Sequence, residues 1–131
     1  MAEIVLREPV ELALPAQRSM MLVLRLTTAG VIARAGLTVD RMDDVKLAVE
    51  EACSCLIGQA SSPRRLALTY VCRDGALFIG IRGVDFTETS GGLDETELDV
   101  GRGILEALAD GVTFEVRDGR IAFIELRAAL V

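Results

Sequence analysis

The chain has 131 residues, 51% of them apolar and 26% charged, and its formal net charge is −6. This composition excludes a disordered chain, and the length suits one core, so we expect residues 1–131 to form a single domain. The acidic balance and the single lysine, Lys46, argue against nucleic acid or an anionic membrane surface as the partner.

The first elements in chain order are a short strand and a helix. The N-terminal residues lack the pattern of a signal peptide, and Glu11 to Leu14 is typical of the end of a strand that Pro15 stops. Residues 17–35 predict a helix that Gly36 ends, with an apolar face of Met20, Leu24, Val31 and Ala35. Because two arginines interrupt this apolar stretch, we expect a buried helix, no membrane span, and a cytoplasmic protein.

A second helix follows and runs to about Gly58. Thr38 or Asp40 can cap its start, and acidic residues in its first turn suit the helix dipole. Its core stripe has helical spacing and consists of Val45, Val49, Ala52 and Leu56.

The second half of the chain predicts two hairpins around a short helix. The first hairpin has strands at 66–73 and 77–81, joined by Asp74-Gly75. Residues 86–98 are poor in apolar side chains and predict a mobile loop, and Ile104–Ala109 predicts a short helix. The second hairpin covers 112–126 and turns at Asp118-Gly119. The element order predicts an α+β two-layer sandwich with a mixed, mostly antiparallel sheet and helices on one face.

The cysteines indicate no metal chemistry. Cys53, Cys55 and Cys72, in a chain without histidine, fit neither a disulfide framework nor a zinc site. We expect reduced thiols that pack as small apolar groups.

Two features could carry binding or catalysis. Glu51 and Cys55 share a face of the second helix that points away from its core stripe, which is either a site or an ordinary solvated face. Gly101-Arg102-Gly103 precedes the short helix and could offer backbone N–H groups to an anion at a helix N-terminus. Ordinary turn glycines are the alternative explanation.

Three segments together resemble the GHKL-type (histidine kinase-like ATPase fold) bacterial anti-sigma factors, which are serine-protein kinases. DDVKLAVEEACSCLIGQA, at 43–60, is similar to that family's N-box helix, which typically reads E-A-x-x-N-A. LFIGIRGVDF, at 77–86, resembles the segment that usually carries D-x-G, and GRGILEALADGV, at 101–112, resembles the glycine-rich motif and its helix. The element order matches along nearly the whole chain.

The resemblance implies ATP and Mg²⁺ as cofactors and a glutamate base that phosphorylates a serine of an anti-anti-sigma partner. Glu51 falls on that catalytic glutamate. Cys55 stands at the position of the asparagine that helps to hold Mg²⁺, and Gly83 stands at that of the aspartate that reads adenine. Asp85 replaces the glycine of D-x-G, and Ile121 replaces a threonine of the last strand.

The glycine motif aligns in two ways. A two-residue deletion places its glycines on Gly101 and Gly103, and a gap-free alignment places them on Asp99 and Gly101.

A thiol is a poor ligand for a hard cation, and each lost hydrogen bond costs about 1–3 kcal/mol. Three such losses would remove most of a micromolar affinity, about 8 kcal/mol, so we expect ATP binding to be weakened or lost.

The partner-binding function could survive this loss. Arg25 matches an arginine of the family's first helix that contacts partners, although an arginine with no binding role would also suit a helix edge. Our hypothesis is a homodimeric anti-sigma factor that binds a sigma factor and/or an anti-anti-sigma (STAS-type) protein without phosphorylating it. The alternatives are an active serine-protein kinase with Glu51 as base, and a scaffold or sensor without a sigma target.

Overall fold

The computed structural model describes residues 8–87 and 93–130. Strand β1 spans Val10–Pro15, and helices α1 and α2 span Met21–Ala35 and Val39–Ile57, with one 3-10 turn at Arg18–Met20 before α1. The remaining elements are β2 at Pro63–Arg73, β3 at Ala76–Phe86, α3 at Glu95–Leu108, β4 at Gly111–Arg117 and β5 at Arg120–Ala129. This order of helices and strands is the predicted one.

The five strands form one sheet in the order β1-β2-β3-β5-β4, and every neighbouring pair is antiparallel. Alternate residues of the central strands are buried against the helices, among them Leu66, Leu68, Tyr70, Ile79, Ile81 and Ile124. The predicted α+β two-layer sandwich is therefore confirmed. Both predicted hairpin turns form, with positive φ at Asp74-Gly75 and Asp118-Gly119, as a tight turn matched to strand twist requires.

Helix α1 begins four residues later than predicted and buries a different set of residues. Met20 and Val31 are only partly buried, whereas Thr28 and Ile32 lie in the core together with Leu24 and Ala35. The Thr28 hydroxyl forms a hydrogen bond of 2.7 Å with the Tyr70 phenol, which satisfies both polar groups inside the core. Gly36 ends the helix with φ of 85°, as predicted.

Helix α2 agrees with its prediction throughout. The Arg41 backbone N–H donates to Thr38 Oγ1 at 3.3 Å, which makes Thr38 the cap, and Asp40 lies in the first turn. The four stripe residues are at most 2% exposed. The helix thus holds its opposite face, which carries Glu51, in a defined orientation.

Helix α3 is more than twice as long as predicted, and this corrects the interpretation of the glycine motif. The helix begins at Glu95, because the Asp94 carboxylate caps it and accepts the backbone N–H groups of Thr96 (2.9 Å) and Glu97 (3.2 Å). Gly101 and Gly103 therefore lie inside the helix, and the predicted anion site at a helix N-terminus beside them is wrong. Residues 88–92 of the predicted mobile loop lie outside the described residues.

Within residues 8–87 and 93–130, no helix has the length and apolar character that crossing a bilayer requires.

Candidate functional site

A cleft of about 650 Å³ opens between α2, α3 and the start of β5. Its walls include four of the predicted site residues, namely Glu51, Cys55, Gly101 and Ile121. Gly83, Asp85 and Gly103 are not among the described residues that line it. The volume lies within the usual range for small-molecule sites.

Gly101 brings α3 close to α2 at the floor of the cleft. A Cβ atom at this position would lie 2.8 Å from Cys55 Sγ, closer than real atoms approach. The gap-free and gapped alignments share Gly101 as a motif glycine, and the structure gives this residue a packing role. Gly103, by contrast, faces open space, since nothing would lie within 4 Å of its Cβ.

Cys55 is neutral and weakly reactive at physiological pH. Burial, and next the neighbouring Glu51 carboxylate, raise the pKa of its thiol to about 11. The thiol donates a long hydrogen bond of 3.8 Å to Glu51 Oε1. Because only a thiolate attacks electrophiles or binds metal ions well, Cys55 is a poor nucleophile and a poor ligand.

Glu51 is half-buried and lines the cleft. Its carboxylate accepts a hydrogen bond from the Cys55 thiol, and it takes part in no ion pair within the described residues. The carboxylate is thus placed to accept a proton from a group in the cleft.

Gly83 does not line the cleft, and the ring of Phe86 packs over it. A Cβ atom at Gly83 would come 2.5 Å from Phe86 Cζ and 3.1 Å from Pro63 Cβ. No side chain fits at this position unless the ring moves.

Asp85 keeps a backbone conformation that favours glycine. Its φ is 59°, in the left-handed region, and its side chain is exposed at the end of β3. Aspartate tolerates this region better than most residues other than glycine.

Sequence reasoning missed Gln59, which fixes the start of β5 on the rim of the cleft. Its Oε1 accepts the Ile121 backbone N–H at 2.6 Å, and its Nε2 donates to the Ile121 carbonyl at 3.0 Å. The Ile121 side chain points into the core and is 3% exposed. No sequence pattern signals this pairing, because the two residues are 62 positions apart.

Arg120 was also missed, and it is the only cation among the described residues that line the cleft. Its guanidinium lies 4.3 Å from the centre of the Phe86 ring and donates to Ser61 Oγ at 3.1 Å. Ser61 Oγ in turn donates to the Thr87 carbonyl at 2.6 Å. These contacts anchor the guanidinium to the wall of the cleft.

Arg25 lies away from the cleft, on the outer face of α1. It forms an ion pair with Glu50 of α2, and its side chain remains 56% exposed. Leu22 and Leu26, one turn before it and one position after it, are 59% and 65% exposed. Arg25 therefore stands within an apolar surface.

The described part of the chain contains no group of three or more His, Cys, Asp or Glu side chains placed to hold a metal ion.

Comparisons with known proteins agree with the resemblance seen in the sequence. No protein-family profile matches the chain. Over 53 residues, the chain is 40% identical to the serine-protein kinases RsbW of Bacillus mycoides and Halalkalibacterium halodurans, and 38% identical to that of Bacillus cereus strain AH187. The matched segment covers 40% of this chain and spans only 33% of the length of each relative.

A solved structure extends the likeness to the fold. The crystal structure of the RsbU and RsbW domains of a Mycobacterium tuberculosis protein matches 93% of this chain and 32% of that chain, with a TM-score of 0.68 and 16% identity. The predicted similarity to GHKL-type serine-protein kinases and the predicted fold are thereby confirmed.

Proposed function

We propose that the chain is an anti-sigma regulatory factor that binds a sigma factor and/or an anti-anti-sigma (STAS-type) protein, with ATP binding weakened or lost. It acts in the cytoplasm, as a homodimer. The observation that carries the proposal is the course of α3, which runs as continuous helix through the glycine motif.

The helix leaves no phosphate cradle at this motif. Interior N–H groups of an α-helix are bonded to carbonyls one turn earlier, so they are not available to a ligand. The free N–H groups lie at the true start of α3, where Asp94 already accepts two of them. Glu95 and Glu97 add negative charge in the first turn, which repels a phosphate.

The other family positions support the same conclusion. Cys55 is protonated, and a thiol does not replace an amide oxygen as a Mg²⁺ ligand. The place of the adenine-reading side chain at Gly83 is filled by Phe86. The residues present do not fit Mg-ATP in the family's manner.

The outer face of α1 supports partner binding. The exposed leucines around Arg25 form an apolar patch of the kind that marks protein interaction sites, and arginine is among the residues that most often contribute binding energy there. The ion pair to Glu50 holds Arg25 in place over α2.

A second candidate is an active serine-protein kinase, and one observation favours it. Glu51 lines the cleft without an ion-pair partner in the described residues, as a general base would.

Two measurements test the proposal. Calorimetric titration with Mg-ATP is expected to show no micromolar binding. Incubation with radiolabelled ATP and the cognate anti-anti-sigma protein is expected to leave that protein unlabelled, and a pull-down from the host is expected to recover a sigma factor or that protein. Labelling that disappears in the variant Glu51→Gln would establish the kinase instead.

A further inference from the structure

The α2–α3 cleft remains a formed cavity even though its surroundings are unsuited to phosphate. Apolar side chains make up much of its wall, including Leu93, Leu98 and Val100, with the Cys55 thiol at the floor. A cavity of this volume with a substantial apolar wall is typical of small-molecule sites.

The charges that face the cleft are predominantly negative. Glu51, Asp94 and Glu97 contribute carboxylates to its lining. Asp94 is occupied as the cap of α3, but Glu51 and Glu97 form no ion pair within the described residues. Arg120, the only cation among the described residues that line the cleft, is held against Phe86 and Ser61.

From this combination we propose that the cleft binds a small organic monocation, with an apolar body against the wall and an ammonium group between Glu51 and Glu97. The inference rests on the proposed loss of ATP binding, because a bound nucleotide would occupy the same space. Two carboxylates near an apolar cavity attract a cation and disfavour an anion, since the low dielectric of the wall strengthens both effects.

The volume selects the kind of cation. A cavity of about 650 Å³ can enclose a molecule of drug-like size, whereas a basic protein segment would need a long open groove. Polyamines fit less well, because they carry several separated charges. The described cleft offers only two free carboxylates, and the rest of its wall is largely apolar.

A matched series of probes tests the inference. Phenylpropylammonium, phenylpropanol and phenylpropanoate have the same body and differ in charge, so calorimetry on the full chain isolates the effect of charge. The ammonium compound is expected to bind, the alcohol to bind more weakly, and the carboxylate to bind least. Shifts in amide NMR signals upon titration are expected at 55–61 and 93–101.

Variants locate the charge contribution. Glu51→Gln and Glu97→Gln are each expected to weaken binding of the ammonium probe about fivefold, the effect of removing one solvent-accessible ion pair. Glu106→Gln is the matched control, because Glu106 is an exposed carboxylate of α3, the helix that carries Glu97, and is not among the described residues that line the cleft. It is expected to leave the affinity unchanged.

The outcomes separate this inference from the proposed function. If no probe binds, or if the carboxylate binds as tightly as the ammonium, or if Glu97→Gln changes nothing, the inference is overturned while the proposed function stands. Micromolar binding of Mg-ATP overturns the proposed loss of ATP binding, and the inference fails with it.

Discussion

Gly101 of α3 lies directly against Cys55 of α2, so closely that a methyl group on the glycine would come 2.8 Å from the sulfur. This contact sets the separation of the two helices at the floor of the cleft. A glycine that resembles part of a phosphate-binding motif is therefore required here by packing between helices.

The contact predicts opposite effects at the two motif glycines. Gly101→Ala is expected to destabilise the fold by about 1–3 kcal/mol, because the added methyl group overlaps Cys55 Sγ and the helices must shift. Gly103→Ala is the matched control and is expected to stabilise by about 0.5–1 kcal/mol, because its methyl group meets open space inside a helix. Free energies of unfolding from urea titrations measure both effects.

The double variant Cys55→Ala/Gly101→Ala tests the cause. Removal of the sulfur leaves room for the added methyl group, so the double variant should lose less stability than the sum of its two single variants. Additive losses would show that Gly101 is needed for a reason other than its contact with Cys55.

The buried hydrogen bond between Thr28 and Tyr70 gives a second prediction. Tyr70→Phe is expected to cost about 1–3 kcal/mol, because it leaves the Thr28 hydroxyl without its partner in the core. Thr28→Val/Tyr70→Phe removes both polar groups and should recover much of that loss. Free energies of unfolding from urea titrations test this recovery. Equal losses of stability in Tyr70→Phe and in the double variant would show that the loss comes from packing and not from an unpaired hydroxyl.

The buried thiols and the phenol predict a loss of stability in alkaline solution. Burial, and next the Glu50 carboxylate, raise the pKa of Cys53 from 9.0 to about 12, and burial raises that of Tyr70 from 10.0 to about 12. The pKa of Cys55 is likewise raised, to about 11. The unfolded chain therefore releases the protons of these three side chains at a lower pH than the folded chain. Stability is therefore complete below pH 9 and falls as the pH rises from there towards about 11–12.

Urea titrations at a series of pH values above and below 9 measure this slope. The variant Cys53→Ala, whatever its packing cost, should flatten the alkaline decline because one of the linked protons is gone. An unchanged slope in this variant would contradict the linkage to Cys53.

Arg25 gives a prediction for partner capture. If the proposed function holds, Arg25→Ala is expected to weaken binding of the sigma factor or anti-anti-sigma protein by about 1–2 kcal/mol, the usual effect of truncating an arginine at an interface centre. Arg34→Ala is the matched control, because Arg34 is also exposed on α1 but lies in its last turn. If the two variants bind the partner with equal affinity in a surface-binding assay, Arg25 does not contribute to the interface.

The loss should not reflect unfolding. The Arg25–Glu50 ion pair is largely solvent-exposed on the arginine side, and such pairs contribute no more than about 1 kcal/mol to folding. The unfolding free energy of Arg25→Ala should stay close to that of the unchanged chain.

Local signals in the sequence were sufficient for α2 and for the hairpins. Thr38 as cap, the four-residue stripe and Gly58 define α2 at both ends and on its buried face, and Asp-Gly pairs define both turns. Each of these features depends on residues a few positions apart, so the sequence displays them directly.

Helix α3 could not be predicted in the same way. Its glycines have low helix propensity and indicated a loop, but the Asp94 cap and the contact of Gly101 with Cys55 favour the helix. The partner of Gly101 is 46 positions away in the chain, and no local pattern reveals it. Thr28 and Gln59 were missed for the same reason, since Tyr70 and Ile121 reach them only in the folded chain.

The position of Phe86 over Gly83 yields a final prediction. Gly83→Asp alone is expected to destabilise by about 1–3 kcal/mol, because its Cβ would overlap Phe86 Cζ. The double variant Gly83→Asp/Phe86→Ala provides room and should be more stable than Gly83→Asp alone. Urea unfolding tests this, and a double variant no more stable than the single one would contradict it.

The same pair of residues restricts how the sequence can change over evolutionary time. An aspartate at Gly83 is tolerated only after Phe86 has become smaller, and a smaller residue at Phe86 first deprives Arg120 of the ring it stacks on. Each change alone is expected to lower the free energy of unfolding. The two positions are therefore coupled, and a side chain at position 83 requires a compensating change at position 86.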